Sequence, residues 1–460
     1  MTEYNSKLTV KEKVGYSLGD VASSLYFNMF MLYLLYFYTD VFGISAVAAG
    51  TMIGITRLWD AFTDPAVGLI ADRTKTRWGK YRPYLLWTAI PFGIIGILTF
   101  STPDLSLTWK IVYAYATYSL LSLAYTFINV PYTSLLGVLT PNSLERTSIS
   151  TYKLFGATLG GMVAQYLTLR LVNYFGQGNE AVGFQYTTIL FSVFVALMFF
   201  LCFLSTKERI AAPVAEKTTV KRDLQDLMTN RPWWILLATG LFLLTWICIR
   251  MGANVYYFKY YVGDTNPLAL FLVMGSAASA AGLLLTGVLA KKIGKKRLFI
   301  ISMLGNSLFT AAMFIPMPEQ LPLMFAFNLL SGFLGGPSFA ILWAMYADTV
   351  DYSEWKHNRR ATGLVLSAAL FTQKMGWSIG AVIAGILLTQ FGYEAHVEQS
   401  TNSVLGIRLL MSLVPGAIGI LGTCFMFLYK LDDKTMVEIE KELKERKKEK
   451  CKKHPDDNER

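Results

Sequence analysis

Apolar runs longer than the ~20 residues a helix needs to cross a bilayer core recur along nearly the whole chain. About twelve can be marked, at 13–39, 45–71, 83–101, 109–139, 147–174, 184–205, 233–261, 267–290, 297–316, 321–347, 361–391 and 404–430. A soluble chain of 460 residues would instead break into short runs of helical or strand period. The pattern predicts an all-α membrane protein with 12 transmembrane helices in two six-helix bundles. A polar stretch near 207–232 divides it into a first bundle over 1–206, a linker, a second bundle over 233–430 and a tail over 431–460. The segments GLIADRTKTRWGK (68–80) and GVLAKKIGKKR (287–297) each follow the second run of their half, and each is basic. Six spans repeated around a central linker is an arrangement suited to rocking about a midplane site.

Composition agrees, with 53% hydrophobic and 16% charged residues. The net charge of +11 does not point to nucleic acid, because Lys and Arg alternate with the spans instead of covering one face. They gather at Lys7 to Lys13, Arg73 to Arg82, Arg146 and Lys153, Lys207 to Arg231, Lys291 to Arg297, Lys356 to Arg360 and in the tail. The intervening connections hold Asp40, Asp104, Glu180, Asp264, Glu319, Glu394 and Glu398. The positive-inside rule then puts both termini in the cytoplasm of a multi-pass protein of the cell (inner) membrane. The polar first dozen residues argue against a cleavable signal peptide. Cys202, Cys248, Cys424 and Cys451 have no metal or disulfide spacing and read as free thiols. The tail at 434–450 alternates Glu with Lys and Arg, as a solvated or membrane-surface helix does. GATLGG (156–161) suits close helix packing in lipid.

The informative residues are the charges inside the spans. A mid-helix carboxylate costs roughly 2.5–3.5 kcal/mol on insertion scales, so it should face protein, water or an ion. Asp60 and Asp64 lie one turn apart on one face of the second run, with the Thr63 hydroxyl beside them. Two acids and neutral oxygens suit a monovalent cation, or a proton carried by a like-charged pair. A structural ion pair with Arg57 or Lys374 competes with that reading, yet one partner would satisfy one acid of the two. Further polar rows stand at helical spacing: Asp20, Ser24 and Asn28 on the first run, and Tyr125, Asn129 and Thr133 on the fourth. Lys374 sits mid-span with Gln373 and Trp377, and Arg250 in the outer half of the seventh run. Carboxylate, amide, hydroxyl, cation and ring together fit a polyhydroxylated solute. Asp348, Asp351 and Glu354 close the tenth run against basic loops that include Arg77, and read as gate ion pairs. Walker, GxGxxG and HExxH patterns are missing, which argues against an ATP-driven pump and a soluble enzyme.

GYSLGD (15–20), YTDVFG (38–43), RLWDAFTDP (57–65), DRTKTRWGKYRP (72–83), YTFINVPY (125–132) and ADTVDYSEW (347–355) resemble the glycoside–pentoside–hexuronide:cation symporters. That family is the melibiose-carrier branch of the major facilitator fold, and the similarity spans about 10 to 435. The resemblance implies import of a glycoside with sodium, lithium or a proton. It also implies cation-site roles for Asp60, Asp64, Thr63 and Thr126, and places around the sugar for Tyr125, Asn129, Thr133, Lys153 and Lys374. The chain departs from the melibiose carrier at Ser23 and Ser24, with Asp20 one turn earlier, at Asn129 and Thr133, and at Phe339 on the tenth span. These departures argue against assuming an α-galactoside, and GYSLGD with NRPWW looks more like the glucuronide, xyloside and pentoside carriers. Fewer acids could favour an anionic sugar met by Arg250, Lys153 or Lys374. The expected protein is therefore a monomeric H+- or Na+-coupled carrier, without a cofactor or enzymatic activity. A carrier of lipid-like solutes and a non-transporting sensor are the alternatives.

Overall fold

The computed structural model describes residues 8–140, 143–209, 228–357, 362–395, 397–431 and 433–453. Most of the expected linker, including Lys217, Lys221 and Arg222, lies outside the described residues, as do Lys7, Arg359 and Arg360. Among the described residues there is no strand, and a lone bridge joins Thr76 and Gly79.

Helix α1 (Val10–Tyr36) opens with a capping box, the Thr9 hydroxyl accepting from the Glu12 N–H and the Glu12 carboxylate accepting from the Thr9 N–H. It runs into a π-helical turn, Phe37–Val41. There follow α2 (Ala46–Arg73), α3 (Arg82–Trp87), α4 (Ala89–Thr99), α5 (Leu107–Leu139), α6 (Ser143–Gly176) and α7 (Glu180–Ser205). Beyond the linker come α8 (Arg231–Tyr256) with a second π turn at Tyr257–Val262, α9 (Asn266–Ile293), α10 (Lys295–Ala312), α11 (Leu321–His357) and α12 (Thr362–Gln390). The series ends with α13 (Thr401–Met411), α14 (Leu413–Phe427) and α15 (Asp433–Lys453). The runs at 83–101 and 404–430 are each broken in two, and proline explains both breaks. Pro91 and Pro415 lack the N–H that would bond the carbonyl four residues back, so α3 stops at Trp87 and α13 at Met411.

Among the described residues, eight helical stretches, taken with their π turns and with α13 and α14 as one, are long and apolar enough to cross a membrane. The other expected spans coincide with α2, which carries internal charges, with the broken α3–α4, with α6, and with α10, which opens on three cations. Many large apolar side chains are exposed, Leu284 at 83% and Phe155 at 70% among them, which suits a surface that meets lipid.

Contacts group the chain into two compact units, the first drawing on both halves of the sequence and the second on the linker and the second half. The first comprises Met1–Val214, Cys248–Ser276 and Trp377–Met411, the second Ala215–Ile247, Ala277–Gly376 and Ser412–Arg460. In the first, α1 packs against α6 and α7, and α2 against α5. The α1–α6 approach depends on the glycines of GATLGG: a Cβ on Gly160 would stand 2.2 Å from the Val21 carbonyl oxygen, and one on Gly156 2.6 Å from that of Ser17. The loop after α2 is tied down by Glu208, whose carboxylate accepts the N–H groups of Lys80, Tyr81 and Arg82 at 2.7–3.0 Å. Burial and a hydrogen bond to Asp72 push the Tyr81 phenol up, which keeps it a donor. In the second unit α10 packs on α11 and α14. The tail helix α15 is not solvated all round: Met436, Ile439 and Leu443 recur on one edge and are buried, and the helix packs on α11. Trp355 Nε1 donates to Glu442 at 2.7 Å, Arg446 reaches the Trp355 carbonyl at 2.8 Å, and Asp433 accepts the Lys295 N–H at 3.1 Å. Among the described residues Cys202, Cys248 and Cys424 are free thiols.

Candidate functional site

The acids of α2 meet hydroxyls of α5 in matched register. Ser122 Oγ donates to Asp60 Oδ1 at 2.5 Å, and Thr126 Oγ1 to Asp64 Oδ1 at 2.9 Å. Each pair spans 62 residues, so one four-residue step on α2 is answered by one on α5. Asp60 is buried, and Arg57, one turn earlier, brings Nη1 to 3.6 Å from its Oδ2. The Arg57 guanidinium lies 5.6 Å over the Phe27 ring, against which Trp377 packs edge-on at 5.7 Å. A cavity of about 10 Å³, room for a single water, opens between Arg57, Ser122, Tyr118, Tyr125, Phe27 and Phe30. Thr63 turns its hydroxyl back to the Asp60 carbonyl at 3.4 Å. Asp60, Asp64 and Thr126 thus form one patch of hard oxygens, with Thr63 bonded along its own helix. Such oxygens can hold a monovalent cation or a shared proton.

Above this patch, Asn129 accepts from Ser23 at 2.8 Å and donates to the Tyr125 carbonyl at 3.2 Å. The Tyr125 ring stands between Phe27 and Phe92, at 6.3 and 6.0 Å. Asp20 is almost fully buried and accepts from the Tyr132 hydroxyl at 2.7 Å. Tyr132 and Tyr16 stack at 4.7 Å, each hydroxyl donating to the other's carbonyl, and Lys153 lies 5.5 Å over the Tyr132 ring. Asp20 and Lys153 therefore flank one ring. The Ser24 carbonyl accepts from the Asn28 amide at 2.9 Å, and Thr133 is exposed on the row begun by Tyr125 and Asn129. Arg250 is half-buried in α8, its carbonyl accepting from Asn254 at 2.8 Å.

In the second unit, Phe339 borders a cavity of about 10 Å³ with Leu244, Trp343, Tyr346 and Gln373, and the half-buried Lys374 follows Gln373 on α12. Asp348 is held by Lys295 Nζ at 2.5 and 2.8 Å, with Asp351 and Glu354 half-buried further along α11. Arg77, in the first unit, is exposed and stacks 4.6 Å over Trp78.

Ser122 and Tyr132 are the residues that sequence reasoning passed over. Ser122 carried a signal, since Ser122 and Thr126 repeat the four-residue step of Asp60 and Asp64. Tyr132 carried none, because a tyrosine after Val-Pro reads as ordinary packing.

The description of the MFS/sugar transport protein family matches residues 15–433. The inner membrane symporter YicJ of Escherichia coli is 39% identical over 410 residues, 89% of each chain. The isoprimeverose transporter of Lactiplantibacillus pentosus is 36% identical over 432 residues, 92% of this chain and 88% of that protein. A bacterial homologue of the human lysosomal transporter Spinster superposes with a TM-score of 0.69 at 14% identity, covering 95% of this chain and 99% of that one, a likeness of fold. The chain belongs to the MFS/sugar transport protein family. It is a multi-pass helical membrane transporter and not an enzyme.

Proposed function

We propose that this protein imports a sugar or glycoside, of the pentoside or glucuronide kind, together with a proton or sodium ion by alternating access. The observation that carries the reading is the matched pairing of Asp60 with Ser122 and Asp64 with Thr126 inside the membrane-embedded part of α2 and α5. Two acids stacked one turn apart in a span have no structural need for each other, since like charges repel. An ion binding between them relieves that repulsion and favours the sugar-receptive state. Thr63 lends a backbone-anchored oxygen nearby. On this reading Asp20, Ser24, Tyr125, Asn129, Thr133, Lys153, Arg250, Phe339 and Lys374 line the solute path. Asp348, Asp351, Glu354 and Arg77 serve as gate residues on the cytoplasmic side. Relatives described as an inner membrane symporter and an isoprimeverose transporter support both the coupling and the solute class. The protein acts as a monomer in the cell membrane with both termini cytoplasmic, its two six-span halves moving about the linker.

The test is uptake of radiolabelled glucuronides, xylosides and galactosides into vesicles with imposed sodium or proton gradients. Asp60→Asn and Asp64→Asn should each abolish uphill accumulation while the protein still purifies as a folded monomer. Undiminished accumulation by both variants would refute the site.

A further inference from the structure

Where α1 ends, the first unit holds a charged cluster that the site above leaves unused. Asp40, in the π turn closing α1, is 0% exposed. Its carboxylate accepts from Tyr393 Oη at 2.5 Å and from the Tyr260 hydroxyl, and lies 3.5 Å from Lys259 Nζ. Lys259 also reaches Glu180 at 3.2 Å and the Tyr36 hydroxyl, which in turn donates to Glu180 at 2.5 Å. The Thr39 and Tyr256 hydroxyls are 2.7 Å apart, and the Tyr256 ring meets Tyr393 at 5.3 Å and Tyr36 at 5.8 Å, both edge-on.

Two features set this cluster apart from an ordinary ion pair. The first is its division by chain half. Both carboxylates, Asp40 and Glu180, precede the linker, whereas Lys259, Tyr260 and Tyr393 follow it. A pair made within one half would survive any movement of the halves, but this one cannot. A buried carboxylate stripped of its donors is strongly unfavourable, so the contact either stays made or opens fully to water.

The second feature is its repetition. YFYTDVFG (36–43) and YYFKYYVG (256–263) both leave their helix through a π turn, and both end on a glycine at φ +80°. Counted back from those glycines, Asp40 matches Tyr260 and Tyr36 matches Tyr256. Position-equivalent residues of the two repeats therefore touch each other, as contacts across a two-fold axis do.

We propose that this cluster is a latch that closes one mouth of the solute path, made in this structure and broken once in each transport cycle. The proposal rests on the alternating-access reading above, and its first test needs no solute. In a background with the 4 native cysteines replaced by alanine, Ala253, buried one turn before the second π turn, is changed to cysteine. Its labelling by a hydrophilic maleimide is followed in nanodiscs, where both faces are accessible. Asp40→Asn and Lys259→Gln should each speed labelling about fivefold or more by shifting the population toward the open mouth. Should Asp40→Asn fail to fold, Lys259→Gln, at a partly exposed side chain, carries the test. Rates equal to the parent in every folded variant overturn the latch whatever the protein carries. Then Asp40→Cys with Tyr393→Cys, joined by a short thiol cross-linker that a reductant cleaves, should fall to background uptake and recover on reduction. Undiminished uptake by the cross-linked protein rejects the latch and leaves the symport reading standing.

Discussion

Asp60 and Asp64 differ in what holds them. Asp60 is met by a guanidinium and a serine hydroxyl, both largely buried, whereas Asp64 takes a threonine hydroxyl and is half-buried. Thr126 is therefore a probe of the coupling ion. A hydrogen bond to a charged group contributes about 1.5–3 kcal/mol, so Thr126→Val should have a tenfold or larger effect. If sodium is the ion, the sodium concentration for half-maximal uptake rises by that factor, through loss of an oxygen ligand. If the ion is a proton, the change falls instead on the proton concentration for half-maximal uptake, and sodium has no effect. Ion-titrated uptake of the variant distinguishes the two, and an unchanged midpoint for both ions would remove Thr126 from the site. The acids themselves were legible in the sequence because a charge in an apolar run must be explained. Their hydroxyl partners were less so, since serine and threonine cost little in a helix and stand out only when two helices are read in register.

Among the elements, the glycines of α6 give the clearest link from sequence to packing. GATLGG pointed to close helix contact, and Gly160 lets α6 lie against the Val21 carbonyl. Gly160→Val should strain this contact by about 1–3 kcal/mol or more, lowering the melting temperature in detergent by several degrees. Gly137→Ala is the matched control, because a Cβ there would have nothing within 4 Å, and it should be neutral or slightly stabilising. Equal melting temperatures for both variants would contradict the contact. The breaks at Thr88 and Ser412 followed from Pro91 and Pro415, which the run-length reading had merged into single spans. The two π turns left no mark in hydropathy, because a π turn changes hydrogen-bond pattern and not composition.

For the whole molecule, coupling sets how far a solute can be concentrated. One positive charge moving inward gains about 2.3 kcal/mol per 100 mV, a concentration ratio of roughly fortyfold. Vesicles given an inside-negative potential of about 100 mV with valinomycin should approach that ratio for one cation per sugar. Accumulation that ignores the imposed potential would mean that no net charge crosses. The expectation of a six-plus-six repeat rested on basic loops at corresponding places, and the aromatic segments at the two π turns add a second correspondence. Which residues meet across the repeat was beyond one-dimensional pattern, since Asp40 and Tyr260 share no chemistry and are related only by position.

The docking of α15 matters for anyone handling the protein. Cutting the chain back to Lys430 to trim a charged extension would strip Glu442 from the Trp355 indole, Asp433 from the first turn of α10, and three apolar side chains from their seat. A purification tag or fluorescent fusion that leaves Asp433–Lys453 intact keeps that seat filled. A shortened version that purifies poorly would report the loss of this fastening and say nothing about whether the sugar path is intact.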